Sequence, residues 1–493
     1  MNDQAEPAPA GCGGIEAAPA ASTTRPRPNR LVRHSWLAVL GALSDWAPPW
    51  PTQEALGLAG VVLIGFGCAR FYGLYRLSGL IAVGLGACLL MLTPGGVKRG
   101  ASPVTWSVAV FLGAITSGLV FHVHPQSAVA LVAGTAVAIM GGAAAVLVVA
   151  SDRTWLRVVG CLVAGSVSLA TLLEHLRWGR ASIDVFNFAQ RLTLQLLHGK
   201  DPYAIALPTT TPHVPLAHYT YWPGVLLLSV PGRLIGDIRV SNLLAAVALI
   251  AAITVLAKRH GGGEHAWRCL VLCLTLPFFP FMILQAWAEV YLMAAIALWI
   301  LLRDKHRTSS VAILGVAMAT VPTPLPLLVF PFLWWRRARV EIVAAAVLAV
   351  AISLPFAVWA GPANFVSYTL GFQAHLAPRV DGLDLDAAWI RLTGAWLPTW
   401  VWPAWTGTTL LLLSRARPRS WTVAFYLGAV LLAVAFLFAK WAFFNYYFLV
   451  VMGVILGGAL QRPSTVSAGA PEDPIRISKS SDPVAVAAGV GGP

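Results

Sequence analysis

VALVAGTAVAIMGGAAAVLVVA, residues 129–150, holds neither a charged side chain nor a proline. An α-helix of about 20 such residues spans the hydrocarbon core of a bilayer. In water a run this apolar has no polar face to offer, so its solvent is lipid or protein. Working outward, comparable runs lie near residues 55–69, 77–94, 104–121 and 157–174, after a short one near 36–46. Others follow near 241–257, 269–302, 309–335, 341–359, 396–414, 421–439 and 441–460. The whole chain matches this pattern: 58% of its residues are hydrophobic and 11% charged, against about a quarter charged in soluble domains. The expectation is an all-α polytopic membrane protein with roughly 11–14 helices of spanning length.

The net charge of +14 does not point to nucleic acid. Lys258–Arg259, Arg303–Arg307, Arg336–Arg339 and Arg415–Arg419 sit between apolar runs, as cytoplasmic loops do under the positive-inside rule. No basic stripe interleaved with exposed aromatics accompanies them. Arg70, Arg76 and Lys98–Arg99 leave the orientation of the first hundred residues open. Arginine outnumbers lysine, which fits a GC-rich bacterium and its inner membrane. Six cysteines are scattered, mostly in apolar runs, with no zinc or disulfide spacing. His122, His124, His213 and His218 read as loop histidines.

Two runs are broken at their middles by proline, LPFFPF (276–281) and VPTPLP (321–326). Proline removes a helix hydrogen bond and clashes with the preceding turn, so each run predicts a hairpin of shortened helices. Irregular backbone at that depth survives only beside protein or a water-filled cavity. The expected organisation is a basic tail (1–35), N-terminal transmembrane segments (36–174), an extracytoplasmic loop (175–222), a transmembrane core (223–460) and a second tail (461–493). WPGVLLLSVPGRLIG (222–236) has too few apolar residues to cross and should dip and return.

The loop carries SIDVFNFAQRLTLQLLHGKDPYAIALP, residues 182–208. Val185, Phe188, Ala189, Leu192 and Leu196 share one helical face, while Asn187, Gln190, Arg191 and His198 lie toward another. Asp184 stands at an N-cap position and Gly199 at a left-handed C-cap position. The spacing predicts a short amphipathic helix lying in the membrane interface.

The order Asp184, amphipathic helix, GKDPY (199–203) and YTYWPG (219–224) resembles the GT-C glycosyltransferases. Among these, the bacterial polyprenyl-phosphate-mannose-dependent mannosyltransferases of glycosyltransferase family 87 are most similar. FFPFMILQAWAEVY (278–291), GFQAHLAPRVDGLDLDAAW (371–389) and KWAFFNYYFLV (440–450) extend the resemblance over residues 170–460, leaving the first crossings unmatched. Gly224 stands where a second proline is usual, and VPTPLP where a lysine often follows. The resemblance implies a GT-C-like bundle that moves a sugar from a polyprenyl phosphate to a lipid or glycan acceptor, with inversion and without a metal or other cofactor. Asp184 would be the general base, and cationic side chains would hold the leaving phosphate.

Each candidate also has a plainer reading. Asp184 suits an N-cap; Lys200 and Asp201, before Pro202–Tyr203, suit a turn; Tyr219 and Tyr221 suit an aromatic belt. Gln285 and Glu289 lie four apart in an apolar segment, where a carboxylate is costly and faces a bundle interior. Arg379 has the fork to grip a phosphate, and DGLDLD (381–386) reads as acids of a solvated loop. Lys440, followed by Asn445 and Tyr446, reaches a phosphate or snorkels. The expected binding residues are thus Arg191, Lys200, Asp201, Tyr203, Tyr219, Tyr221, Gln285, Glu289, Arg379, Lys440, Asn445 and Tyr446. Mannosyl transfer is the first expectation. Arabinosyl or other pentosyl transfer, a transporter or flippase of lipid-linked sugars, and a non-catalytic scaffold are the rivals.

Overall fold

The computed structural model describes residues 53–69, 76–92, 102–119, 128–177, 184–209, 216–321, 325–375 and 378–461. The expected tails, the short segment near 36–46, His122, His124, His213 and Pro322–Pro324 lie outside these residues. Helices dominate; the only sheet among the described residues is the antiparallel pair β1 (Leu207–Pro208) and β2 (Leu216–Ala217).

Five helices come first: α1 (Gln53–Ala69), α2 (Leu77–Met91), α3 (Pro103–Leu119), α4 (Ala128–Ala150) and α5 (Thr154–Arg177). They fall where the apolar runs predict them. The first two cross at glycines: a Cβ on Gly67 would lie 2.5 Å from the Gly79 carbonyl oxygen. The surface helix α6 (Asp184–Leu197) and the β pair follow, then α7 (Gly224–Ile235) and α8 (Arg239–Thr275). At Gly262 (φ 83°) two helical segments of α8 meet in a kink.

Beyond it the chain breaks repeatedly: α9 (Phe278–Leu284), α10 (Glu289–Leu302), α11 (Arg307–Met318) and α12 (Leu325–Trp334). At the hairpin expected at VPTPLP (321–326), α11 ends at Met318 and α12 begins at Leu325, and residues 322–324 lie outside the described residues. At the other expected hairpin the proline stops α8 at Thr275, but the reversal comes later, at residues 285–288. The long α13 (Arg336–Ala360) leads to short elements, α14 (Pro362–Val366), a π-turn (Ser367–Gly371) and α15 (Phe372–His375). The chain closes with α16 (Leu385–Thr393), α17 (Val401–Ser414), α18 (Trp421–Leu437) and α19 (Phe444–Ala459). Two helices, Arg239–Thr275 and Arg336–Ala360, are long and apolar enough to cross a membrane; the other apolar helices are shorter. By helix length, then, the described residues supply fewer spans than the roughly 11–14 read from composition.

The apolar helices sort their polar residues to two ends. At the basic end, Arg259 donates to the Leu301 carbonyl, Arg337 to the Arg303 carbonyl, and Arg417 lies over Trp334. Glu341, fully buried, is its hub: Arg303 (3.1 Å), Arg337 (3.0 Å), Arg307 (3.4 Å) and the Trp299 indole (3.0 Å) all reach it. At the opposite end Gly224 donates to the Ala319 carbonyl at 2.8 Å. A Cβ there would sit 2.6 Å from Ala319. A proline at 224 would have neither the donor nor the room, so glycine in this entry motif has a local cause.

Pro277 ends α8 and would leave the carbonyls of its last turn without amide partners. The Ser117 hydroxyl of α3 donates to the Thr275 carbonyl and the Ser168 hydroxyl of α5 to that of Leu274, both at 2.5 Å. Each replacement, Ser117→Ala or Ser168→Ala, is expected to cost about 1–3 kcal/mol. In thermal unfolding of the purified protein the double variant should lose about the sum. A pair of neutral substitutions would show that these carbonyls need no partner.

Candidate functional site

Helix α6 is amphipathic as predicted: Phe188, Ala189 and Leu192 are buried, whereas Asn187, Arg191 and His198 are exposed. Gly199 takes the left-handed conformation (φ 67°) that stops it. Gln190, expected on the free polar face, is instead a clasp. Its amide donates to the Gly236 carbonyl (2.7 Å) and accepts from the Ile238 amide (3.0 Å). With Arg239 stacked over Phe186 at 4.7 Å, this pins α6 across the turn between α7 and α8. The turn that follows the 12-residue α7 is thereby held to α6.

Asp184, half-buried, is the first residue of α6. Tyr221 lies within electrostatic reach of Glu289, Tyr446 and Asp184. Burial first, then those three groups, hold its hydroxyl well above the ordinary phenol range. Glu289, 3% exposed, opens α10 and accepts from the Asn445 side chain at 2.6 Å. Behind it the Tyr291 hydroxyl donates to Asn242 (2.8 Å), whose amide donates to the Trp287 carbonyl (2.9 Å). Four segments distant in sequence thus contribute to one polar cluster: the start of α6, the loop before α7, the turn at 285–289, and the start of α19.

Two buried polar atoms beside this cluster have no partner among the described residues, the Tyr219 hydroxyl and Gln285 Oε1. Gln285 precedes Ala286, whose φ of 53° is unusual for a residue with a Cβ. Such local strain concentrates at functional sites.

Other expected contacts are placed differently. Tyr203 is fully buried and donates to the Tyr221 carbonyl at 2.9 Å. It is a post behind Tyr221, packed edge-on to Tyr219 and Phe365, and offers no face to a ligand. Asp201 accepts from the Tyr203 amide (2.9 Å), the turn chemistry of its plainer reading. Arg191 and Lys200 are exposed, and among the described residues no contact brings them to the cluster. Arg379 pairs with Asp381 through two bonds of 2.8 and 2.6 Å and lies over the rings of Trp441 and Phe443. Lys440 donates to the Ala374 carbonyl (2.9 Å).

Two of the three acids of DGLDLD are not solvated: Asp384 and Asp386 are buried, while Asp381 is partly exposed. Asp384 caps α16 through the Ala387 amide (2.8 Å) and accepts from the Ala442 amide (3.0 Å). Asp386 accepts from the Leu397 amide (2.8 Å). Sequence reading missed this clasp, and with it Asn242 and Tyr291. The available signal was an asparagine inside the apolar run RVSNLLAAVALI.

No protein-family model, curated protein or solved structure matches the chain.

Burial pushes the Asp384 carboxyl up to about 8, against the pull of its two amide donors. An unfolded aspartate titrates near about 4. The folded protein therefore binds a proton that the unfolded chain releases, and this stabilisation, full below about pH 4, is lost as pH rises through about 8. The thermal midpoint is expected to fall across that window, and Asp384→Asn, which cannot titrate, to flatten the slope. An identical slope in the variant would assign the pH dependence elsewhere.

Proposed function

We propose that this protein is a multi-pass glycosyltransferase of the bacterial inner membrane. Its basic end faces the cytoplasm, and the cluster around Asp184 faces outward. It transfers a sugar, mannose first, from a polyprenyl phosphate to a hydroxyl of a lipid or glycan acceptor. One arrangement carries the reading. A carboxylate opens an amphipathic surface helix and shares a cluster with Tyr221, Tyr446 and the buried Glu289–Asn445 pair.

Asp184 takes the proton of the acceptor hydroxyl as its oxygen attacks the anomeric carbon. The bond from that carbon to the phosphate oxygen breaks, and the polyprenyl phosphate leaves as the anion. A single displacement inverts the configuration and needs one carboxylate opposite the leaving group. Cations must answer the charge on the departing phosphate. Lys440, in the loop leading into α19, and Arg379, whose amide donates to the Lys440 carbonyl, lie beside the segment that carries Tyr446. Arg379 would first have to exchange Asp381 for the phosphate. Glu289 and Asn445 present paired donor and acceptor atoms suited to sugar hydroxyls. Nothing in them selects a hexose over a pentose, so arabinosyl transfer is the nearest variant of this proposal.

A transporter of lipid-linked sugars is the second reading. Closure over Glu289, 3% exposed, between broken helices favours it, since such breaks occur at transporter binding sites.

The test is transfer by purified protein from radiolabelled polyprenyl-phosphate mannose to extracted membrane lipids. Asp184→Asn is expected to lower the rate by about a hundred- to ten-thousand-fold while donor binding persists. Glu289→Gln should weaken donor binding instead. Undiminished transfer by Asp184→Asn would sink the base assignment. Movement of labelled donor across vesicles without transfer would select the second reading.

A further inference from the structure

At the basic end, outside the cluster just described, the turn between α12 and α13 meets the loop between α17 and α18. Trp335 stacks on Trp421 with centroids 4.6 Å apart, and Arg417 lies 5.8 Å over Trp334. Trp334, Arg336, Arg339, Arg415, Arg417 and Arg419 are all exposed there. Among the described residues none of these five arginines is in an ion pair, whereas the acids nearby are committed. Glu341 is enclosed by Arg303, Arg307 and Arg337, and Asp304 pairs with Arg337. Arg339 is spent on the carbonyls of Phe332 and Leu333 (3.1 and 2.9 Å), which fixes the turn beside Trp334. Arg417 has a φ of 44°. A residue with a Cβ, directly before Pro418, occupies this conformation at a cost, and the result is a guanidinium held over an exposed indole.

We infer that this face is a docking site for the phosphate-bearing headgroup of an anionic lipid, held between Arg336 on one side and Arg415, Arg417 and Arg419 on the other. The indole of Trp334 packs at the boundary between headgroup and acyl chain. Four guanidinium groups without an acid beside them repel one another until an anion joins them. Arginine takes phosphate through two parallel bonds, which a hydrated cation does not do. Between apolar helices, the anion that is present at high concentration and beside an exposed Trp is a lipid phosphate. The inference rests on the membrane reading but not on the sugar-transfer chemistry.

The experiment uses the full chain in neutral detergent, read by thermal midpoint and by lipid retained in native mass spectrometry. The probes are phosphatidylglycerol, phosphatidylcholine and inorganic phosphate. Phosphatidylglycerol should raise the midpoint by several degrees and remain bound; the other two should not. The triple variant Arg415→Gln, Arg417→Gln, Arg419→Gln should lose at least ten-fold in phosphatidylglycerol affinity with its lipid-free midpoint unchanged. Should the triple variant not fold, Arg417→Lys, which keeps the charge and loses the fork, should show a smaller loss. An equal response to phosphatidylcholine, an equal response to inorganic phosphate, or wild-type binding by the variants would each overturn the site. Carbonate extraction of the protein from membranes would instead overturn the membrane reading, and it is scored separately from lipid affinity.

Discussion

Much of this structure depends on the break at Leu276–Pro277. A proline there has no amide hydrogen, so α8 stops at Thr275 and its last carbonyls need donors from elsewhere. Ser117 and Ser168 supply them from α3 and α5. The N-terminal helices, unmatched by the family resemblance, are therefore not an appendage. They close the hydrogen bonding of the core helix that the site is built on. Because α8 stops early, α9 is short and the chain reverses at residues 285–288, with Ala286 at φ 53°. That reversal puts Glu289 at the start of a helix, where a carboxylate is favoured by the free amides of the first turn.

The two buried glutamates show how differently the same side chain can be used. Glu341 receives three arginines and an indole, so both its oxygens are engaged and its charge is compensated. Removing such a partner leaves a buried charge and is costly, which makes the hub a fixture of the basic end. Glu289 is comparably buried but has only the amide of Asn445 as a side-chain partner. No cation neutralises it among the described residues. A carboxylate held that way has capacity for further donors, and the hydroxyls of a sugar are donors.

The five N-terminal helices, the stop of α8 before Pro277 and the surface helix were legible in the sequence, because apolar length, proline and helical period each act within one turn or two. Gly199 could be placed in the left-handed region because the residues around it stop a helix on both counts. What was not legible depends on partners far away in the chain. Gln190 looks like a polar-face residue until Gly236 and Ile238 arrive beside it. Asp384 and Asp386 look solvated until residues 397 and 442 fold over them. Local pattern reports which residues are polar; it is silent on which of them are spent on backbone amides.

That distinction also sorts the candidate site. Asp201, Tyr203, Asp384 and Asp386 have their hydrogen-bonding capacity committed to the chain itself, and Arg379 to Asp381. Asp184, Tyr221, Glu289, Asn445 and Tyr446 come instead from four separate segments, and the Tyr219 hydroxyl and Gln285 Oε1 beside them have no partner among the described residues. Leaving buried polar groups unpaired costs about 1–3 kcal/mol each, and a fold that needed only stability would fill the space with apolar side chains. The arrangement makes sense as a seat for a polar ligand that completes it, with the surface helix placing Asp184 at its rim. In the proposed reaction, a base at the rim, rather than within the buried pair, is what an acceptor arriving from outside the bundle requires.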